Sequence, residues 1–515
     1  MKHGFFLSAA AVMMVTVASA QDKVVRTVLE LGKTDNRTME HVDFLANRIG
    51  GRPVGSHNLQ DAEQWVADQF RSWGLEVIEQ EVGEIGVGFS RGPWSGRMIG
   101  GSGMDLHFVT PSYSAGTKGP QKGRVLLEPH SLDELQRMKS ALKGAWVLIG
   151  GSSNGFTLDW TSKGDSIRTE YKAKLDSISR QNEENRRWNR ENPGRERTIV
   201  DLKFMPGLYC QEMKEAGVLG FIQSANLPMQ AHYNRAGCYE LTMENLPTVC
   251  EIKLEKAQYD EIEQMVRDRR DFQLEFNIRN NFFKGPVKYH NIIGVLKGSK
   301  YPDEYVLMGG HLDSYDVATG AVDDGNGVSV AMEAARLLAA SGAKPKRTML
   351  FCVWTGEEYG LLGSKYFVEN KTVPLDHISN YFNRDGGPLA AAGITVPPAM
   401  YEDFKKVCEP ILNYTEDIPF TVTEREGEPR PRPKSAGGSD HAHFVMNGVP
   451  AISFNERDVK GYNFNYRDIW HTECDNYNMV YPDYMEQSAV VTAVVAYGLA
   501  NLDHLLSREG LFAEE

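Results

Sequence analysis

A chain of 515 residues exceeds what one ordinary hydrophobic core holds, about 100 to 250 residues, so two or more domains are expected. Its 41% hydrophobic and 24% charged residues, with eight tryptophans, exclude a disordered or fibrous protein. A formal net charge of -13 excludes the basic face that a nucleic-acid partner needs and leaves small or cationic partners open.

Along the chain, Met1, Lys2 and His3 precede an apolar stretch from Phe5 to Val17 and the small-x-small triplet Ala18-Ser19-Ala20. This is the pattern of a secretory signal peptide, residues 1–20, cleaved after Ala20. The apolar stretch is shorter than the ~20 residues of a bilayer span. The expectation is therefore an exported chain, periplasmic or secreted, with no stable membrane span after cleavage. Export permits disulfides. Of the six cysteines, Cys210 with Cys238 or Cys250 is a candidate pair, whereas Cys352 lies in an apolar run and reads as an inert buried thiol.

From His41 to Val82 the pattern is helix, loop, helix, strand; the helix Asp61 to Trp73 carries Ala62, Trp65, Val66 and Phe70 at helical spacing and stops at Gly74. Residues 21–100 are read as the first part of the main domain, and the character changes between about Gly100 and Gly285. There, short strands such as Arg124 to Leu127 and Ala145 to Leu148 alternate with glycine-rich turns, which reads as a separate module over 101–285. Within it, residues 166–197 are highly charged, as in a solvated helix or flexible insertion, with a substrate-contacting lid as the sharper alternative.

In the last segment, 286–515, strands alternate with helices. Tyr305 to Met308, Thr348 to Trp354, Tyr381 to Asn383 and Ala451 to Phe454 read as strands; Gly327 to Ala340 and Gly363 to Asn370 read as helices. The implied fold is α/β, with a mostly parallel central sheet covered on both faces. The run Ala489 to Ala500 suits a helix packed on that sheet.

Ligands of such sheets gather at the carboxyl ends of the strands, and polar residues cluster there. Two histidines and several carboxylates, His311, Asp323, Glu358, Asp385 and His471, form a nitrogen and oxygen set suited to zinc and, less selectively, to manganese or cobalt. Five side chains are what two ions about 3.5 to 4 Å apart need when one carboxylate is shared. Adjacent carboxylates at Glu357-Glu358 repel, and a dication relieves that conflict by neutralising one while the other faces a bridging water. Asp313, two residues after His311, is placed to accept the imidazole's other N–H.

These motifs resemble the two-zinc exopeptidase family, which includes double-zinc leucyl aminopeptidases, glutamate carboxypeptidase II and the carboxypeptidase Q-like plasma glutamate carboxypeptidase. The resemblance implies a zinc-exopeptidase sandwich in which the middle segment is an inserted β-rich protease-associated-like domain, with Glu215 to Ile222 as its most recognisable piece. It also implies two Zn2+ per chain, with His311 and Asp385 on one ion, Glu358 and His471 on the other, Asp323 as the bridge and Glu357 as the catalytic base. Asp323-Asp324 is then a candidate for a cis peptide, and Asp440, in Gly437 to His441, for a support residue beside the pocket. The substrate is a peptide or dipeptide; aminopeptidase, dipeptidase and carboxypeptidase activity all stay open, as does a homodimer.

Two other classes compete. A catalytically silent receptor of the same fold would have lost the ligands, yet all five and Glu357 are present. A glutaminyl cyclase-like enzyme would work with a single zinc. For substrate recognition, Arg457 or Arg467, in the loop leading to His471, is a candidate grip for a free carboxylate. The plainer alternative pairs these arginines with Glu456 or Asp468 on the surface.

Overall fold

The computed structural model describes residues 20–201, 203–233 and 235–513. The proposed signal segment, Ala20 apart, lies outside the described residues. A central sheet runs in the order Glu76–Gly100, Phe272–Leu296, Arg347–Trp354, Tyr301–His311, Ile378–Asn383, with Gln121–Gly123 paired to the outer part of Phe272–Leu296. The last three strands of that order are parallel to one another, and the first two are antiparallel.

The sheet is thus mixed, where the sequence suggested a mostly parallel one. The reason is connectivity: Glu76–Gly100 leaves for the inserted segment and Phe272–Leu296 returns from it, and neighbours that leave and return must run in opposite directions. Each of these strands is 25 residues long, so the ribbon they form reaches out from the sheet to the insert.

Side chains of the inner strands alternate between two buried faces, as a covered sheet requires. Val306, Met308, Met349, Phe351 and Val353 pack under the helices Asn326–Ala340 and Pro482–Ala500. On the other face Leu307, Leu350, Cys352 and Trp354 meet Phe367 and Phe444, from the helices Leu362–Glu369 and His441–Met446. Each such fully buried side chain contributes ~1.5 to 3 kcal/mol. The expected helices and strands of this half are present within a few residues, with one correction at Ala451 to Phe454. The strand there is Phe454–Arg457, antiparallel to Ala390–Val396 in a small separate sheet with Thr421–Glu424. Residues 450–452 only flank Ile378–Asn383, tied by Tyr381 N–H to Pro450 O (2.9 Å) and by the Asn380 side chain to both backbone groups of Ile452 (2.9 and 3.0 Å).

The insert has its own sheet, in the order Phe108–Val109, Cys250–Glu255, Gly220–Ala225, Trp146–Ser152, Val125–Leu127. All its pairs but the first are parallel, because helices such as Leu132–Leu142, Cys210–Glu215 and Lys256–Arg267 cross between or flank the strands. Trp146 and Leu148 face one core, Val147 and Ile149 the other. The module is therefore α/β, not the β-rich one expected; its short strands hid the crossover helices. The charged run at 166–197 falls largely in one 30-residue helix, Ser162–Glu191.

All six cysteines are free. Cys210 cannot pair with Cys238 or Cys250 because the three lie in different cores, on opposite faces of the insert sheet and in the main domain. Cys352 is buried in the sheet, and burial holds its thiol well above the usual range. Among the described residues no helix is long and apolar enough to cross a membrane.

One buried cation ties the domain's opening loop to the strand ends. Arg52, fully buried, donates to the carbonyls of Leu312 (2.5 Å), Gly320 (2.9 Å), Gly50 (3.0 Å), Thr319 (3.0 Å) and Leu45 (3.3 Å). Burial lowers its pKa to about 10, so it stays cationic at neutral pH. Arg52→Leu strands these carbonyls without water. The expected loss is ~3 kcal/mol or more, read as a lower urea midpoint against wild type.

Candidate metal centre

Loops that follow three parallel strands, and one that follows a short helix, converge at one end of the parallel strands. His311 is the last residue of Tyr301–His311; Glu357 and Glu358 follow Arg347–Trp354, and Asp385 follows Ile378–Asn383. Asp323 immediately precedes the helix Asn326–Ala340 in a loop with non-helical φ and ψ at Asp323 and Asp324. The peptide between Asp323 and Asp324 is cis, as anticipated. His471 follows the short helix Tyr466–Ile469 and has φ 56°, in the left-handed region that non-glycine residues avoid.

Side chains from these loops form three triads, the ligand atoms of each lying within 4.8 Å of one another: His311, Asp323, Asp385 and Asp323, Glu358, His471, which share Asp323, and His311, Glu357, Glu358. Asp323 Oδ1 is 3.2 Å from His311 Nε2, and Asp323 Oδ2 is 3.5 Å from His471 Nε2. Asp385 Oδ1 is 3.6 Å from His311 Nε2, and Glu358 Oε2 is 3.1 Å from His471 Nε2. Within this centre His311 Nε2, Asp323 Oδ2 and Glu358 Oε1 are buried with no hydrogen-bond partner. Buried polar atoms are rarely left orphaned. A nitrogen and oxygen donor set with bare lone pairs, in which two triads share Asp323, fits two zinc-like dications.

The carboxyl groups repel one another in this dry setting. Burial, then the neighbouring Asp323, holds Glu358 well above the usual carboxylate range; burial, with Glu358 and Asp440 adding to it, does the same to Glu357. For His311 burial acts downward, but Asp323 and Asp385 overcome it and hold the imidazole well above its ordinary value. His471 has no such balance, and burial lowers it to about 4.

Asp313 takes a different part from the one expected. His311 Nδ1 lies 2.8 Å from the backbone carbonyl of Asp313 and 3.8 Å from its carboxylate. The carboxylate instead accepts the backbone N–H groups of Glu357 (3.0 Å) and Glu358 (3.1 Å), fixing the acidic turn. A side chain two residues on lies too far round the bend for the imidazole; the carbonyl does not. Asp440 is buried with both oxygens unpaired, and burial raises it to about 7. Arg457 and Arg467 are exposed, and neither holds the partner expected on the surface. Glu456 pairs with Arg384 (3.2 Å), and Asp468 accepts from Asn465 (2.9 Å).

Several contributors were not legible. Asp475 accepts the N–H groups of Val322 (2.7 Å) and Asp323 (3.3 Å), which fixes the shared carboxylate's backbone. Asp324 accepts from His311 N–H and Gly327 N–H, both at 3.1 Å. A Cβ at Gly310 or Gly327 would collide with the Asp324 carboxylate, so glycine is required at both positions. Tyr315 packs its ring 4.0 Å from that of His471. His232, from the insert, places its Nδ1 3.2 Å from His471 Nδ1. Only the four-residue spacing of Asp475 from His471 offered a signal; a lone histidine 239 residues upstream offered none.

Residues 291–496 match the family model described as Peptidase family M28. Carboxypeptidase Q of Mus musculus is 25% identical over 496 residues, 96% of this chain and 92% of that protein. Carboxypeptidase Q of Homo sapiens is 25% identical over 498 residues, with the same coverage. A peptidase M28 precursor from Shewanella amazonensis has a TM-score of 0.56 at 20% identity, over 95% of this chain and 98% of that one. The Bacillus subtilis zinc aminopeptidase BSAP has a TM-score of 0.50 at 18% identity, over 93% and 97%. At these identities the solved structures share the fold.

Metal uptake must displace the protons that the raised Glu358 and His311 hold. The apo protein binds more protons than the loaded one, so affinity rises with pH. The window runs upward from the ordinary carboxylate range, about 4, past that of imidazole, about 6.5. Titrating zinc into apo protein in weak buffer at neutral pH should release protons.

Proposed function

Starting from a metallo-exopeptidase whose residues 291–496 form an M28 peptidase domain, we propose that the chain is an exported binuclear zinc enzyme hydrolysing peptide bonds at chain ends or in dipeptides. The observation that carries this reading is Asp323, whose two oxygens face the two histidines of separate triads. His311 and Asp385 would hold one zinc and Glu358 and His471 the other, with Asp323 contributing to both. Zinc bound by these residues would supply Lewis acidity toward a scissile carbonyl and a lowered pKa for bound water.

Glu357 is the general base. It stands outside the two triads that share Asp323, its carboxylate grouped instead with His311 and Glu358, and its backbone is pinned by Asp313. In this role it would take a proton from the attacking water and pass it to the leaving amine. Asp313, Asp324 and Asp475 hold the loops that carry the ligands. The segment 101–285 serves as the inserted, protease-associated-like domain, and export follows from the segment 1–20.

For the substrate, the carboxypeptidase Q relatives span nearly the whole chain, which favours a free carboxylate at one end of a dipeptide or short peptide. Arg457 and Arg467, exposed and unpaired with their acidic neighbours, are the groups proposed to grip it. Elemental analysis of active protein should find two zinc ions per chain, and one or none would refute the binuclear reading. Glu357→Gln should keep the metal and lower kcat by ~10²-fold or more; parallel loss of zinc would make Glu357 a ligand instead. Against a dipeptide and its amidated form, Arg457→Ala or Arg467→Ala should lower kcat/KM for the free acid alone. Equal cleavage of both forms by wild type would favour an aminopeptidase.

A further inference from the structure

We propose that His232, a residue of the inserted domain, is a positioning residue for the ligand His471, accepting the proton-bearing Nδ1 of that ring. The inference rests on the two-zinc reading above. For His471 Nε2 to offer its lone pair beside Glu358 and Asp323, the ring's proton must sit on Nδ1. That Nδ1 lies 3.2 Å from His232 Nδ1, with the rings 77° apart and their centroids at 4.9 Å. Two nitrogens at this distance share one hydrogen. His471 Nδ1–H donates, His232 Nδ1 accepts, and the His232 proton lies on Nε2.

The usual partner of a ligating imidazole is a carboxylate or a carbonyl. A neutral imidazole performs the same task without adding another negative charge to a centre already crowded with carboxyl groups. Its own ring is fixed from both sides, stacked on Phe156 (4.5 Å) and edge-on to Tyr315 (5.2 Å).

The surrounding backbone serves the same end. Ala231 N–H donates to His471 O (3.4 Å), and Gln230 Nε2 to Trp470 O (3.2 Å). Glu473 N–H donates to Met229 O (3.0 Å), Met229 N–H returns to Glu473 Oε1 (3.1 Å), and His107 of the insert meets Glu473 Oε2 (2.7 Å). These contacts bracket the residue whose φ of 56° is unfavourable for a side chain. These contacts of the insert therefore fall on the Glu358 and His471 site.

The test compares His232→Asn, whose amide oxygen falls near the place of Nδ1, with His232→Leu, of similar size and without an acceptor. Zinc affinity is measured on the full chain by competition with a chelating dye. Wild type and His232→Asn should hold two tight ions; His232→Leu should hold one, with the other weakened about 10- to 100-fold. Excess zinc should restore kcat in the Leu variant. Both ions bound as tightly by His232→Leu as by wild type would overturn the proposal, as would equal weakening in Asn and Leu. If the Leu variant does not fold, nitrogen NMR of the loaded wild-type protein decides: a protonated His471 Nδ1 supports the role, and an unprotonated one overturns it. A wild type that takes up one ion refutes the two-zinc reading only, because that ion's affinity in His232→Leu still decides whether His232 acts.

Discussion

The constraint on which the rest of the structure depends is the concentration of carboxyl groups in one dry cluster. Asp313, Asp323, Asp324, Glu358, Asp440 and Asp475 are buried there, and Glu357 and Asp385 line it. The cationic side chains that face them are His311 and Arg52, and burial keeps His471 neutral beside them. Burying one unpaired carboxylate costs several kcal/mol even after relaxation. A bound dication would offset two such charges at once, which is the return that the proposed metal centre offers.

The chain divides these carboxyl groups into two kinds. Asp313, Asp324 and Asp475 each accept two backbone N–H groups and so are satisfied by protein alone. Asp323 and Glu358 keep oxygens with no partner. The first kind fixes the geometry and the second is left bare for metal. Arg52 is the complement of the first kind, gathering carbonyls where the aspartates gather N–H groups. Together they pin both ends of the loop from Leu312 to Asp323, so Asp323 is held by its backbone.

The parts legible in the sequence were those with local rules. Residues from His311 to Asp385 end strands whose apolar runs and flanking glycines announce them, and the acidic pair followed from the same short motifs, whereas the cis peptide was expected from the family resemblance alone. What failed depended on long-range pairing. Whether the outer strands run parallel was set by the exit and return of the insert, which no local pattern records. The insert's helices escaped notice because its strands, such as Val125–Leu127, are too short to show a crossover period. Asp313 was placed on the correct ligand loop, yet its carboxylate turned toward a turn 44 residues away. His232 was invisible for the same reason, its meaning lying wholly in a contact made 239 residues later.

The asymmetry between the two triads follows from where their ligands stand. His311 ends a central strand, and Asp385 follows the next strand by two residues, so both inherit the rigidity of the sheet. His471 has no strand behind it: it follows a four-residue helix and sits in a conformation its backbone disfavours. A ligand must be held to within about 0.5 Å to act, and loops alone hold side chains less well than strands do. The missing support has to come from outside the sheet, and the segment from Met229 to His232 is what packs there. The long ribbon that carries the insert away from the domain thus also carries it back over the one ligand that the sheet cannot hold.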